Sequence, residues 1–241
     1  MFLGEAKTPD DMRLYAIGDV HGCDAMLVGA HVAIADDLRA RPAGDHRIVH
    51  VGDYVDRGPA SAGVIERLAG LAETNPQIVC LRGNHDAMML DFLTDPVGGG
   101  AMWLMNGGDK TLASYGVDAS GWQDSNRRLT ALCEQFADAL PARHRDFLGG
   151  LADTARFGDF FFCHAGIRPG VPLDDQAPRD LIWIRDDFLW DARDHGVVVV
   201  HGHTPQPRPE VRPNRINVDT GAVFGGPLTV LALEGTDYRF L

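Results

Sequence analysis

Two carboxylates and an arginine lie close together between glycines in the segment Gly52-Asp53-Tyr54-Val55-Asp56-Arg57-Gly58. The apolar run Ile48-Val49-His50-Val51 leads into this segment, which predicts that it begins where a buried strand ends. A carboxylate at such a point can bind a hard cation, and an arginine can hold a phosphate through two parallel hydrogen bonds. Taken alone, a segment rich in Asp and Gly is more often an ordinary turn than a metal site.

Other apolar runs also end in metal-capable side chains next to glycine. They deliver Asp19 with His21, Asn84 with His85, His164, and His201 with His203. A single histidine on a sheet is more often a packed or surface residue than a ligand, but repetition at separate strand ends argues against coincidence. Imidazole and carboxylate ligands together suit Mn, Fe or Zn, whereas an all-oxygen set would indicate Mg or Ca.

The elements that must position these side chains alternate between strand and helix. Strands are predicted at 14–17, 47–51 and 78–81, with helices starting near 24, 59 and 87. Such alternation with short connections predicts a largely parallel sheet. The loops then gather at the carboxyl ends of the strands, where open α/β folds have their active sites.

The alternation stops between residues 95 and 150. Helical patterns and glycines there predict a mostly helical insertion beside the site, and its glycines could form either a mobile lip or simple turns. From residue 154 strands prevail, beginning with a hairpin whose turn is Gly158-Asp159.

Bulk composition excludes several classes of protein. The 241 residues include 22 basic and 34 acidic side chains, a net charge of −12, which disfavours nucleic acid as a partner. The 4 cysteines are widely spaced without a Cys-x-x-Cys pair, as expected in a reducing compartment. The N-terminus has no apolar signal segment, and the longest aliphatic run, 197–200, is too short to span a bilayer. We therefore expect a soluble, cytoplasmic protein.

The ordered motifs resemble those of the calcineurin-like metallophosphoesterases. The unbroken segment 52–58 resembles the phosphoprotein phosphatase branch, in particular its small bacterial and phage enzymes. The other matching motifs are Gly18-Asp19-Val20-His21-Gly22, Gly83-Asn84-His85-Asp86, His164-Ala165-Gly166 and Gly202-His203-Thr204. The resemblance covers about residues 13–235. It departs from the family at Asp86, where many members have Glu, and at Pro205, where others have a further histidine.

The resemblance implies an α/β fold, a two-sheet metallophosphoesterase sandwich with α/β/β/α layers. Residues 1–241 would form a single domain with a helical insertion at about 95–150. It also implies two divalent metal ions, with manganese as the first choice and iron or zinc as alternatives. Asp19 and His21 would hold one ion, Asp53 would bridge, and Asn84, His164 and His203 would complete the other. His201 is a possible further ligand, because an extended strand would turn it to the same side as His203.

The resemblance also assigns catalytic and substrate-binding roles. His85 would be the general acid, and Asp56 would orient its imidazole and favour the protonated form. Arg57, Arg185 and Asn84 would bind the substrate, with Arg185 resting on a weaker match. The hypothesis is direct attack on phosphorus by a hydroxide that bridges the metals, without a phosphoenzyme. Cys163, next to His164, should face the opposite side of its strand as a small apolar residue.

Several substrates remain open. The first expectation is a phosphatase for phosphoserine or phosphothreonine in proteins, or for small phosphoesters. The alternative is a hydrolase of dinucleoside polyphosphates such as diadenosine tetraphosphate. Trp103 could stack an adenine, although a core tryptophan is the commoner case. A catalytically inactive protein-binding scaffold is a remote alternative, because all the ligands, His85 and Asp56 are present. A nuclease is a weak alternative, because a net charge of −12 disfavours binding of nucleic acid. No membrane partner is expected.

Overall fold

Parallel strands alternate with helices in the first part of the chain, as the sequence pattern predicts. The computed structural model describes residues 1–241 except for the side chain of residue 124. The elements are β1 (Met12–Ile17), α1 (Asp24–Ala40), β2 (Asp45–His50), α2 (Ser61–Thr74), β3 (Ile78–Cys80) and α3 (Asn84–Thr94). β1 pairs in parallel with β2, and β2 with β3. α3 begins at Asn84 rather than at Ala87, so Asn84 and His85 lie in its first turn.

The following segment is helical. It contains α4 (Gly100–Trp103), α5 (Asp109–Ser114), α6 (Asn126–Ala139) and α7 (Ala142–Gly149). A turn at Leu104–Gly108 joins α4 to α5 and is kinked at Gly107, whose φ of 104° is not helical. α6 begins after Ser125, whose hydroxyl accepts a hydrogen bond from the backbone N–H of Arg128 and so caps the helix. Of the helices described, none combines the length and apolar content that crossing a membrane requires.

Strands dominate the rest of the chain. The elements are β4 (Thr154–Phe157), β5 (Phe160–Cys163), α8 (Pro178–Trp183), α9 (Asp186–Leu189), β6 (Val198–His201), β7 (Glu210–Val211), β8 (Arg215–Asn217), β9 (Val230–Glu234) and β10 (Asp237–Phe240). β4 and β5 form the predicted antiparallel hairpin. β9 and β10 return to pair antiparallel beside β1, so the first sheet is mixed rather than largely parallel. A short, mostly exposed strand such as β10 carries little of the apolar alternation that would reveal it.

Two mixed sheets pack face to face in the described part of the chain. Their strand orders are β10-β9-β1-β2-β3 and β4-β5-β6-β8-β7. Leu14, Val49 and Leu231 of the first sheet share one buried cluster with Phe162 and Val200 of the second. Helices cover the outer faces through separate clusters, with α1, α2, α3 and α6 on the first sheet and α8 and α9 on the second. This arrangement confirms the predicted α/β/β/α fold.

Candidate metal centre and active site

The loops after β1, β2, β3, β5 and β6 meet at one edge of the molecule and bring most of the predicted site residues together. Backbone bonds join them: the N–H of His21 donates to the carbonyl of Asp53 at 2.8 Å, and that of Gly202 donates to the carbonyl of His164 at 2.8 Å. A Cβ at Gly83 would lie 2.1 Å from Oδ1 of Asp53, so only glycine permits this approach. The loops therefore form one connected unit.

The backbone is strained where the functional side chains leave it. Non-glycine residues with positive φ include His21 at 42°, Asp53 at 55°, Asp56 at 73°, Arg57 at 67° and His203 at 67°. Such conformations cost about 1–3 kcal/mol each and persist only where the surroundings impose them. All five of these residues lie at the site. The fold therefore tolerates a loss of stability there, and the strained backbone orients these side chains towards the centre.

His21, Asp53 and His85 form a first group of buried ligand atoms, all within 4.8 Å of one another. Nε2 of His21 lies 3.5 Å from Oδ2 of Asp53. Nδ1 of the same ring donates to the carbonyl of Val55 at 2.7 Å, which leaves the lone pair on Nε2. Burial lowers the pKa of His21 to about 3, so its imidazole is neutral, as a metal ligand must be.

Asp53, His164 and His203 form a second group under the same 4.8 Å limit. Oδ1 of Asn84 lies between the two imidazoles, 3.0 Å from Nε2 of His164 and 2.9 Å from Nδ1 of His203. His164 donates from Nδ1 to the carbonyl of Val51 at 2.9 Å. Nε2 of His203 is buried and has no hydrogen-bond partner among the described residues, which is rare for such an atom.

His164 and Asp53 form a buried ion pair within this second group. Burial opposes a charge on His164, but Asp53 outweighs it and raises the pKa of His164 to about 9. Burial likewise opposes the charge of Asp53, and the imidazoles of His164 and His85 outweigh it, so its pKa lies well below the ordinary value. Binding of a metal ion at these atoms requires His164 to release its proton.

The donor set fits a pair of divalent ions. Asp53 belongs to both groups, so its carboxylate would lie between the ions. The imidazole of His203 belongs to the second group, with Nδ1 next to the amide oxygen of Asn84. Mixed nitrogen and oxygen donors suit Mn, Fe or Zn. The carboxylate of Asp19 lies outside both groups, where it accepts the backbone N–H of His203 at 3.1 and 3.3 Å. To bind a metal ion, Asp19 would have to use the same oxygens that accept the N–H of His203.

His85 and Asp56 are in direct contact, with Nδ1 of the ring 2.6 Å from Oδ2 of the carboxylate. Burial lowers the pKa of His85 to about 4, and the positive charge of Arg57 adds to this effect against the opposing charge of Asp53. Burial also raises the pKa of Asp56 well above the ordinary value. The expectation that Asp56 favours a protonated imidazole is therefore not met here, because burial acts more strongly on both groups. The predicted contact itself is present.

Arg57 places its guanidinium across two imidazoles. Nη1 lies 2.5 Å from Nε2 of His21, and Nη2 lies 2.8 Å from Nε2 of His85. The aromatic ring of Phe224, which is 66% exposed, lies 5.5 Å from Cζ of Arg57. Arg185 is exposed, with Nη1 3.4 Å from the Thr204 hydroxyl. A cation can bind Nε2 of His21 only after the guanidinium has moved towards the open side of the site.

His201 lies in a different environment from the other predicted ligands. β6 ends at His201 and His203 has positive φ, so the extended backbone assumed for this pair does not continue between them. Nδ1 of His201 lies 3.1 Å from the carbonyl oxygen of Gly202, and Nε2 lies 3.3 Å from Nη1 of Arg215. Because a guanidinium cation faces this ring, the structure does not support His201 as a ligand.

Asp86, Trp103 and Thr111 hold the loops and side chains of this site in place, a role that the sequence did not predict for them. The carboxylate of Asp86 accepts backbone N–H groups of Asp53, Tyr54 and Gly83 at 2.9–3.0 Å and so joins two of the loops. The indole N–H of Trp103 and the hydroxyl of Thr111 donate to Asp56. Trp103 is 0% exposed, so the idea that it stacks an adenine is wrong. The sequence singled out Trp103 only as a possible stacking or core residue, and nothing in it singled out Thr111.

Cys163 is no candidate nucleophile. Its side chain is fully buried in the cluster that joins β5 to α8 and α9, on the face opposite Phe162. Burial raises the pKa of its thiol far above the ordinary value. The expected orientation, away from the centre, is the one observed.

Comparisons with known proteins agree with this geometry. A family model described as calcineurin-like phosphoesterase matches residues 12–230. The serine/threonine-protein phosphatase 1 of Salmonella typhimurium is 31% identical, over 92% of this chain and 92% of that protein. An asymmetrical bis(5'-nucleosyl)-tetraphosphatase PrpE of Anoxybacillus flavithermus is 28% identical, over 89% of this chain and 88% of that protein. The crystal structure of a cold-active protein-tyrosine phosphatase of a Shewanella species has a TM-score of 0.62 at 17% identity, covering 98% of this chain and 83% of the other.

Proposed function

Because this chain belongs to the calcineurin-like phosphoesterase family, we propose that it hydrolyses phosphoesters with two divalent metal ions, manganese being the first choice. One observation carries this proposal: Asp53 is common to two groups of buried ligand atoms, as a carboxylate between two ions would be. His21 would serve the ion on one side of Asp53, and His164, His203 and Asn84 the ion on the other. Asp19 would join His21. When bound, such ions lower the pKa of water and stabilise negative charge on phosphoryl oxygens.

His85 is the proposed general acid. Its Nδ1 is bound to Asp56 at 2.6 Å, so Nε2 is the atom that would take up a proton when substrate binds and pass it to the oxygen that leaves phosphorus. The guanidinium of Arg57 lies 2.8 Å from this Nε2, and once it moves aside to admit a cation at His21 it would be free to hold a phosphate. Arg185, exposed at the same mouth, and Asn84 would hold further phosphate oxygens. No side chain near the centre is needed as a covalent nucleophile, since water can attack phosphorus directly.

The first substrate proposed is phosphoserine or phosphothreonine in a protein. Arg185 is exposed and Arg57 is partly exposed, so both guanidiniums could contact a phosphate presented on another protein. The name of the Salmonella typhimurium relative, at 31% identity over nearly the whole chain, supports this choice. We propose that residues 1–241 act as one catalytic domain in the cytoplasm, with the helices of about 95–150 as an insertion beside the mouth.

A dinucleoside polyphosphate is the second candidate, and exposed aromatic rings favour it. Phe224 is 66% exposed next to Arg57, on one side of the centre. Trp183 is 38% exposed, and its ring centroid lies 6.1 Å from that of His203, on the other side. Flat exposed rings at both sides of a phosphate site suit the stacking of nucleobases. The tetraphosphatase named among the relatives supports this candidate.

A substrate panel tests the proposal. The protein is loaded with Mn²⁺ and assayed on phosphoserine peptides, p-nitrophenyl phosphate, its bis-ester and diadenosine tetraphosphate. Faster turnover of the peptides supports the first candidate, and faster turnover of diadenosine tetraphosphate supports the second. The Asp53→Asn variant, purified in parallel, controls for contaminating phosphatases. Inactivity on every substrate with metal bound would overturn the proposal and favour a protein-binding scaffold.

A further inference from the structure

The carboxylate of Asp56 is held by two side chains from the helical segment beside the site. Nε1 of Trp103 lies 3.0 Å from each of its oxygens, and the hydroxyl of Thr111 donates to Oδ1 at 2.7 Å. The backbone N–H of Asp56 donates in turn to the hydroxyls of Thr111 at 2.8 Å and Ser61 at 3.1 Å. Asp56, Trp103, Thr111 and Ser61 are all 0% exposed, so water does not compete for these bonds.

These donors determine which way the carboxylate faces. Trp103 and Thr111 both bind Oδ1, and Trp103 also reaches Oδ2, the oxygen that contacts Nδ1 of His85 at 2.6 Å. Rotation of the carboxylate would break the bonds from Trp103 and Thr111 and leave both donors unpaired in a buried environment, which is unfavourable. The segment that carries Trp103 and Thr111 therefore fixes the orientation of Asp56. Because Asp56 binds Nδ1 of His85, the same segment also fixes the direction in which Nε2 of His85 points.

The segment is itself held against the loop that contains Asp56. The indole of Trp103 packs against Phe92 and Phe136, with ring centroids 4.8 and 5.9 Å away. The carbonyl of Gly107 accepts the backbone N–H of Arg57 at 3.1 Å. Gly107 has φ 104°, and a Cβ there would lie 2.7 Å from the nitrogen of Arg57. The kinked turn between α4 and α5 thus brings Trp103 and Thr111 to the same carboxylate.

We propose that Trp103 and Thr111 are positioning residues for protonation of the leaving group. They hold Asp56 so that Nδ1–H of His85 stays bound and Nε2 is directed at the leaving oxygen. In this step His85 carries a proton on both nitrogens. As a water oxygen bonds to phosphorus and the P–O bond to the leaving group breaks, the leaving oxygen takes the proton from Nε2, and His85 is left neutral with Nδ1–H still bound to Asp56. The attacking water releases one proton to solvent, and uptake of a proton at Nε2 restores His85 for the next turnover. This inference rests on the proposed function, since it requires His85 to act as the acid.

A comparison of two leaving groups tests it. Phenyl phosphate and p-nitrophenyl phosphate have the same shape at phosphorus, but p-nitrophenolate leaves with little need of a proton. Thr111→Val and Trp103→Phe each remove the donor and keep most of the side-chain volume. On Mn²⁺-loaded protein we expect each to lower kcat on phenyl phosphate about 10-fold or more, within the range of acid catalysis. On p-nitrophenyl phosphate the loss should stay below about 3-fold, with KM unchanged on both.

Two matched variants serve as controls. Thr111→Ser keeps the hydroxyl and should restore kcat on phenyl phosphate to within about 2-fold of the parent protein. Tyr115→Phe removes a hydroxyl of the same segment that contacts Nδ1 of His144 at 2.9 Å, away from Asp56, and should leave the ratio of the two rates unchanged. If Trp103→Phe fails to fold, the Thr111 pair carries the test alone.

The outcomes separate the two levels of the proposal. Equal losses on both substrates, or no loss on phenyl phosphate, would overturn the positioning role and leave only a structural one. If the parent protein is inactive with metal bound, the proposed function is wrong. The positioning role, which depends on that function, is then wrong as well.

Discussion

Nδ1 of His85 lies 2.6 Å from Oδ2 of Asp56, and their side chains are only 3% and 0% exposed. The same ring belongs to a group of buried ligand atoms with Asp53 and His21. A single imidazole thus connects a buried carboxylate to the centre where metal and phosphate would meet. This geometry makes His85 the residue whose replacement is most informative.

Replacing His85 with asparagine should lower kcat on phosphoserine peptides by about 10²–10⁴, the usual contribution of a general acid. The variant should keep both metal ions, because Asp53, His21 and the second group of ligands remain. Steady-state kinetics and elemental analysis of the purified protein measure the two effects. Loss of one ion per chain would identify His85 as a ligand instead, and near-normal turnover of the peptide would exclude the acid role.

Replacing Asp53 with asparagine should remove metal from the whole centre, since this carboxylate belongs to both groups of ligand atoms. Activity should fall with the metal content. Elemental analysis before and after dialysis against Mn²⁺ checks this result. Asp36→Asn is the matched control, because Asp36 is an exposed aspartate paired only with Arg39. Full metal content in the Asp53 variant would contradict the bridging position.

Replacing Phe224 with alanine distinguishes the two candidate substrates. If a nucleobase stacks on this ring, KM for diadenosine tetraphosphate should rise about 10-fold, since base stacking on an aromatic side chain contributes about 1–3 kcal/mol. KM for p-nitrophenyl phosphate should not change. Trp190→Ala is the control, because Trp190 is 80% exposed outside the residues that form the centre. A similar KM for diadenosine tetraphosphate in both variants would argue against stacking at Phe224.

Asp37 should make the protein sensitive to acid. Burial alone would raise the pKa of Asp37, but hydrogen bonds from Tyr15, Arg239 and Arg41 outweigh it and lower the pKa to about 2. A lowered pKa in the folded state contributes stability above the unfolded value of about 3.9, and that contribution disappears as pH falls from about 4 to about 2. The free energy of unfolding, measured by urea denaturation, should therefore be lower at pH 3 than at pH 7.

The Asp37→Asn variant should lose about 3 kcal/mol at pH 7, because it leaves Arg13, which is 2% exposed, without one of its buried partners. Its free energy of unfolding should also fall less between pH 7 and pH 3 than that of the parent protein. The exposed Asp36→Asn variant again serves as control. Parallel pH curves for the Asp37 variant and the parent would show that Asp37 does not cause the acid dependence.

Much of this protein could be predicted from its sequence because the decisive signals are local. An apolar run followed by Gly-Asp or Gly-Asn-His indicates a buried strand that ends in polar side chains. Parallel strands place such ends on one edge, so His21, Asp53, Asn84, His164 and His203 could be expected together before their distances were measured. The short strands β7 and β10, and the start of α3 at Asn84, were missed, because two to four residues carry too little periodicity.

Tertiary structure alone decided the details that set the chemistry. The bonds to Asp56 come from Trp103 and Thr111, 47 and 55 residues away, and depend on how the kinked turn at Gly107 packs against another loop. His201 and His203 are two residues apart, yet the positive φ of His203 separates their environments. A repeating pattern determines which face of an element is buried. Which distant side chain meets a given carboxylate depends on the packing of all the elements at once, and no local pattern encodes that.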